Sequence, residues 1–305
     1  MSSFWIGILE QGLLFSIMVL GVYITYKVLD FPDLSVDGTF PLGASVTAML
    51  LLRGYNPLLS CLVSLCAGMA AGFVTGILNV KLKITNLLSG ILVMLSLYSV
   101  NLRIMGKSNT PLFNVKTIFS GNMPPIFVIL VFALVVKIFL DLFFKTKFGF
   151  ILKTAGDNYK MVTSLGVDID KVKVIGIMMS NGLVALAGSV MAQYQRFSDV
   201  GMGSGIVVMG LASIIIGETI LRVFPFKLGT ACAILGSILY KASIAAALKA
   251  GLPATDLKLI TSAVVVVALG LYNNELRAKV RKWLKDLVAG GIKNAENTKS
   301  AKNFQ

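Results

Sequence analysis

Nine apolar stretches dominate the chain, and short segments rich in charge, proline and glycine separate them. Most approach the roughly 20 residues that an α-helix needs to cross about 30 Å of hydrocarbon. Transmembrane β-strands show alternation over about 10 residues instead of unbroken apolar runs. We therefore predict an all-α integral membrane protein with about nine transmembrane helices. The apolar stretches are residues 4–28, 39–53, 57–80, 86–105, 125–144, 174–195, 205–221, 228–248 and 257–274.

Composition agrees with this class. The chain is 56% apolar and 14% charged, with a mean hydropathy of +0.84, whereas soluble domains are about 45–50% apolar. There is no histidine, which excludes imidazole acid–base chemistry, Ser-His-Asp triads and imidazole metal sites. The three cysteines lie inside apolar runs without CxxC spacing, so we interpret them as packing residues and predict no metal site.

The net charge of +14 comes from basic residues that concentrate in particular loops and in the tail. This distribution is typical of residues that set membrane orientation and does not indicate a nucleic-acid-binding surface. If the 145–173 loop and the C-terminal tail are cytoplasmic, nineteen of the 28 Lys and Arg lie inside and seven outside. The positive-inside rule therefore predicts an external N-terminus and a cytoplasmic C-terminus.

The chain divides into a transmembrane domain, residues 1–275, and a basic cytoplasmic tail, residues 276–305. The first part of the tail alternates apolar and basic positions in the pattern of a helix that lies on an anionic lipid surface. Beyond Gly290 and Gly291 the sequence is polar, which is typical of disorder.

Residues 30–41 place three carboxylates, two prolines and a glycine between two apolar runs. Carboxylates and irregular backbone at membrane depth are tolerated where they line a cavity, so one interpretation is a broken helix along a translocation pathway. An ordinary turn with Asp and Pro as capping residues is the alternative. With polar residues of other runs, the predicted substrate-pathway residues are Asp33, Ser35, Asp37, Thr39, Asn86, Asn101 and Glu218.

The loop of residues 145–173 has the signals of a short helix. Asp157 is positioned to cap a helix over residues 158–165, Gly166 to end it in a left-handed conformation, and Asp170 to cap the next span. Such a helix, with an apolar face formed by Met161, Val162 and Leu165, fits the groove of a partner protein. A self-contained loop is the alternative. The candidate docking residues are Gly156, Asp157, Asn158, Met161, Leu165 and Gly166.

Gly68, Gly72 and Gly76 recur at four-residue spacing in one apolar run. This spacing puts them on one helix face, where the lack of side chains lets another helix approach closely. We interpret them as helix-packing residues.

The sequence Gly106-Lys107-Ser108 matches only the end of a phosphate-binding loop. Asn101 occupies the position of the first glycine, and the segment continues into a proline-containing loop and not into a helix. We therefore expect no nucleotide site in this chain.

Two segments resemble the permease subunits of bacterial ABC importers of the branched-chain amino acid and ribose type. Residues 153–158, with Leu165-Gly166-Val167, resemble the family's cytoplasmic Arg-Ala-x-Gly-x-Asn…Gly-Ile signature, although Lys153 stands where Arg is usual. Residues 33–38 resemble its Asp-Leu-Ser-Val-Gly segment, with Asp37 inserted. The likeness covers most of residues 5–275 and is greatest to importers of tryptophan or tyrosine.

The resemblance implies a permease subunit in a bacterial plasma membrane, without enzymatic activity or a cofactor of its own. Its expected partners are an ABC ATPase subunit that carries the ATP and contacts the 153–166 segment, an extracytoplasmic solute-binding lipoprotein, and a second permease copy. The expected solute is an amino acid, aromatic ahead of branched-chain, with sugars and nucleosides as alternatives. An ion-coupled secondary transporter and a nontransporting scaffold are the rival classes.

Overall fold

The computed structural model describes residues 2–221, 229–251, 253 and 256–272. These residues form a helical bundle with one small two-stranded sheet. A π-helix, Ile24–Val28, continues α1, and a 3-10 helix, Val200–Gly203, precedes α9. The other elements are α1 Ser2–Tyr23, α2 Val36–Leu52, α3 Pro57–Val80, α4 Asn86–Met105, β1 Asn109–Pro111, α5 Pro125–Lys145, α6 Lys147–Asp157, α7 Tyr159–Ser164, α8 Ile169–Gln195, β2 Phe197–Asp199, α9 Ile206–Leu221, α10 Gly229–Lys249 and α11 Leu257–Tyr272.

A helix lies at each of the nine apolar runs, which confirms the all-α membrane class. Seven helical segments in the described part of the chain are long and apolar enough to cross a membrane. Two helices, α2 with 17 residues and α11 with 16, are shorter, so the structure does not confirm nine spans. The basic tail, whose first part is predicted to lie on the membrane surface, is outside the described residues.

The centre of the bundle is α8, against which α1, α2 and α3 pack. Every residue from Ser180 to Gln193 is buried, so the middle of α8 is surrounded on all sides. The outer helices carry exposed apolar side chains instead, such as Leu62 on α3 and Val135 on α5. An apolar core with an apolar outer surface is what a lipid solvent favours.

Glycines allow the close approach of α3 and α2 to α8. A Cβ on Gly68 or Gly72 would lie 2.5 or 2.6 Å from a carbonyl oxygen of α8, and one on Gly76 would lie 3.1 Å from an α8 Cα. The α2–α8 contact uses the same device at Gly43 and Gly188, where the nearest carbonyl oxygens would be 1.9 and 2.0 Å away. Any larger residue at these positions would separate the central helices.

Candidate functional site

The chain leaves helical geometry between the π-helix and α2. The Leu29 and Phe31 N–H groups donate back to carbonyls of the π-helix at 3.0 and 2.8 Å, and the next residue to Leu29, Asp30, has a φ of +50°. Helix α2 then begins at Val36, so the break covers residues 29–35. The predicted break over residues 30–41 is therefore wrong for residues 36–41, which are helical.

Pro41 lies inside α2 instead of ending the break. Proline has no N–H for the carbonyl four residues earlier, which here belongs to Asp37. Gly203 packs against that carbonyl so closely that a Cβ on it would be 1.9 Å from the oxygen. Gly203 thus covers the Asp37 carbonyl, which has no N–H partner at position 41. A transmembrane helix can therefore contain a proline at this point.

Asp33 lies within the break and is buried, with 4% of its surface exposed. Its Oδ1 accepts from the Ser35 N–H at 2.8 Å, and its Oδ2 accepts from the Asn181 Nδ2 at 2.8 Å. The Asn181 Oδ1 in turn accepts from the hydroxyls of Ser35 at 3.1 Å and Thr39 at 2.7 Å. This network ties the break and the first turn of α2 to the middle of α8.

Asp37 makes a different set of contacts from those of Asp33. Its two carboxylate oxygens accept from the N–H groups of Val207, at 2.8 Å, and Gly205, at 3.0 Å. It therefore caps the N-terminus of α9 from α2. Since Asp37 is in the first turn of α2, the expectation that it shares an unwound stretch with Asp33 is wrong.

Asn101 on α4 is buried against α2. Its Nδ2 donates to the Gly38 carbonyl at 3.1 Å, and its Oδ1 accepts from the Ser45 hydroxyl at 3.4 Å. Five of the seven predicted pathway residues therefore meet around the N-terminal half of α2. Those five are Asp33, Ser35, Asp37, Thr39 and Asn101.

Asn86 and Glu218 lie away from this group. Asn86 accepts from the Asn79 Nδ2 at 2.8 Å, in the turn that joins α3 to α4. Glu218, near the end of α9, forms an ion pair of 2.8 Å with Lys27 in the π-helix. The Glu218 carboxylate therefore fixes α9 to the end of α1.

A second buried polar layer lies further along α2. The Thr47 hydroxyl is 2.6 Å from the hydroxyls of both Ser64 and Ser189, and Ser189 and Gln193 donate to the Cys61 sulfur at 3.2 Å. Both layers offer hydrogen-bonding groups without a nucleophile–base pair. In the described ranges, no group of three or more Asp, Glu or Cys side chains could hold a metal ion.

The loop of residues 145–173 forms two helices, α6 and α7, and this corrects the predicted caps. Asp157 is the last residue of α6, and Asn158 caps α7 by accepting from the Met161 N–H at 3.3 Å. Asp168, not Asp170, caps α8. A hydrogen bond from Lys171 holds the pKa of the Asp168 carboxyl below its ordinary value.

The short helix α7 ends as predicted, since Gly166 has a φ of +73° in the left-handed region. Its apolar residues divide between two faces, which corrects the prediction of a single one. Val162 is 1% exposed and packs on the protein, whereas Met161 and Leu165 are 49% and 62% exposed. The outward side of α7 therefore offers apolar groups to a partner.

Helix α6 touches the break directly through Gly156. A Cβ at this position would lie 2.0 Å from the Val28 carbonyl oxygen and 3.1 Å from the Leu29 carbonyl carbon. Those two residues are the end of the π-helix and the start of the break. The loop that offers α7 to a partner is thus in backbone contact with the point where the first span unwinds.

Comparison with known proteins agrees with these features. Residues 4–270 match the family described as branched-chain amino acid transport system, permease component. A tyrosine transport system permease protein of Clostridioides difficile is 52% identical over 274 residues, which cover 90% of this chain and 93% of that protein. No solved structure matches.

Two further relatives are more distant. An uncharacterized protein of Rickettsia prowazekii is 33% identical over 278 residues, covering 88% of this chain and 97% of that protein. The autoinducer 2 import system permease protein LsrC of Yersinia enterocolitica is 31% identical over 212 residues, 68% of this chain and 57% of that protein.

The bundle and these matches define a multi-pass membrane permease of an ABC-type importer. The chain belongs to the family of permease components of branched-chain amino acid transport systems. A permease component works with an ATPase and a solute-binding protein, so both are partners of this chain.

Proposed function

We propose that this permease moves tyrosine, and aromatic amino acids in general, into the cytoplasm. The proposal of this solute is supported by the 52% identity, over almost the full length of both proteins, to the tyrosine transport system permease protein. The chain does no chemistry on the solute and binds no cofactor, while ATP is bound and hydrolysed on the partner subunit. Its N-terminus is external, its C-terminus is cytoplasmic, and the bacterial inner membrane surrounds it.

We further propose that the ATPase docks on α6 and α7 and that two permease copies form the pore. The contact of Gly156 with Val28 is the observation that carries this mechanism. A movement of the ATPase would pass through α7 and α6 to the end of the π-helix and change the geometry of the break. Because Asp33, Ser35 and Thr39 connect the break to α8, their contacts would change with it.

The solute is tested by calorimetric screening of the solute-binding protein that copurifies with the permease. We expect tight binding of tyrosine, weaker binding of leucine and none of ribose. Tight binding of a sugar or a nucleoside without tyrosine would replace the proposed solute.

The energy source is tested with the purified chain in liposomes without an ATPase subunit. We expect no ATP hydrolysis above the background of an inactive preparation, and no tyrosine uptake driven by a proton or sodium gradient. Gradient-driven uptake by the chain alone would establish the ion-coupled secondary transporter instead.

A further inference from the structure

Lys241 places a cation near the middle of a transmembrane helix. At 1.5 Å per residue, it lies about 18 Å along α10 from Gly229 and about 12 Å from Lys249. Its Nζ is 3.5 Å from the centre of the Phe15 ring on α1. Lys249, at the end of α10, lies over Phe4, near the start of α1. Because Phe15 is further along α1 than Phe4, the Lys241 side chain points toward the middle of the bundle and away from the Lys249 end of α10.

The environment of Lys241 differs from that of the other lysines at membrane depth. Lys27 pairs with Glu218 at 2.8 Å and Lys137 with Asp141 at 2.5 Å. Among the described residues, no Asp or Glu oxygen lies within 4.0 Å of the Lys241 Nζ. Its ammonium has the Phe15 ring as its neighbour, and a cation in hydrocarbon is costly without an anionic partner.

Lys241 is one of the residues that line a cavity of about 460 Å³. It lies between α1, α9, α10 and α11, and its walls include Phe4, Ile8, Met209 and Leu248. Lys241 is its one charged lining residue among those described. A volume of this size is in the range of about 300–1,000 Å³ that small-molecule sites occupy. The lining combines one cation and the polar residues Gln11 and Thr261 with apolar side chains, which suits an anion that carries an apolar body.

We propose that the cavity at Lys241 binds the carboxylate of the transported aromatic amino acid, whose ring packs on the apolar wall. This inference rests on the proposed function and assigns part of its substrate site. A lipid phosphate fits less well, because headgroups lie about 15 Å from the bilayer centre and the Lys241 ammonium points toward that centre.

The test measures binding of radiolabelled tyrosine to the purified permease–ATPase complex without the solute-binding protein. Lys241→Gln removes the charge, Lys241→Arg keeps it, and Lys249→Gln removes a matched charge from the exposed end of α10. We expect affinity to fall about tenfold or more in Lys241→Gln, because a hydrogen bond to a charged group is lost. Lys241→Arg should keep most of the affinity, and Lys249→Gln should bind as the wild type does.

Competitors separate recognition of the carboxylate from a structural role. In the wild type, 3-(4-hydroxyphenyl)propionate, which has the carboxylate without the ammonium, should displace tyrosine better than tyramine, which has the ammonium alone. Lys241→Gln should lose this preference. Equal displacement by both compounds in the wild type, or no wild-type binding at millimolar tyrosine, would overturn the assignment.

Two further results distinguish the possible failures. If native mass spectrometry shows an anionic lipid that Lys241→Gln loses while tyrosine binding is unchanged, the cavity is a lipid site and the inference falls. If the wild-type complex takes up tyrosine with ATP and Lys241→Gln binds it equally well, the proposed function stands without this site. Uptake of another class of solute in place of tyrosine would overturn the proposed function itself.

Discussion

Gly156→Ala is the smallest change that should interrupt communication between helices α6 and α7 and the membrane core. The added Cβ would lie 2.0 Å from the Val28 carbonyl oxygen, and ordinary carbon–oxygen contacts begin at about 3.3–3.6 Å. Helix α6 would therefore move away from the π-helix by about 1.4 Å. The obstacle is backbone on both sides, so no side-chain rotation relieves it.

Overpacking of this kind costs about 1–3 kcal/mol. If the substitution weakens the coupling between α6 and the break by this amount, the effect of one site on the equilibrium at the other falls about 5- to 150-fold. We expect ATP-driven uptake to fall at least about fivefold, while ATPase association persists because the outward side of α7 is unchanged. Uptake in proteoliposomes and ATPase copurification measure the two effects separately.

The matched control is Gly121→Ala, because a Cβ at Gly121 would meet nothing within 4 Å. This variant should transport at the wild-type rate. If Gly156→Ala, monodisperse in detergent, couples ATP hydrolysis to uptake as well as Gly121→Ala does, α6 does not act on the π-helix through Gly156.

Three further predictions concern caps, packing and the buried network. Asn158→Ala should weaken α7 by about 0.5–2 kcal/mol and reduce ATPase copurification, whereas Asp157→Ala should not; equal copurification would contradict the cap assignment. Gly72→Val should lower the melting temperature measured by thermal shift, because a Cβ there would lie 2.6 Å from an α8 carbonyl oxygen; an unchanged value would refute the close packing. Asp33→Asn should destabilise the fold by about 1–3 kcal/mol, since it loses an acceptor for Ser35 N–H or Asn181; chemical unfolding at the wild-type midpoint would exclude this.

The helices were predictable from sequence because the bilayer imposes length and apolar character on each span. The glycine spacing on α3 likewise indicated a close helix contact. The residues at which the break begins and ends were harder to predict from sequence, because proline is tolerated inside a membrane helix when a neighbouring residue covers the carbonyl that it leaves without an N–H donor. That neighbour, Gly203, is more than 160 residues away from Pro41 in the chain.

Caps and polar contacts show a second limit. Asp157 and Asn158 are both good capping residues. Asn158 is the cap because α6 continues through Asp157 and α7 begins directly after Asn158. Hydroxyls in apolar runs are equally ambiguous, since Ser96 bonds its own helix at Leu92 while Thr47 bonds two other helices. The spacing of hydroxyl residues in the sequence does not distinguish a bond within one helix from a bond between helices, because both satisfy the hydroxyl inside hydrocarbon.

We propose that this chain is the membrane path of an ATP-driven tyrosine importer. The most direct test is accumulation of radiolabelled tyrosine by proteoliposomes that contain the permease, its ATPase and its solute-binding protein, with each component omitted in turn. We expect accumulation only in the complete system with ATP, and competition by phenylalanine or tryptophan but not by ribose. Undiminished accumulation without the ATPase, or none in the complete system, would contradict it.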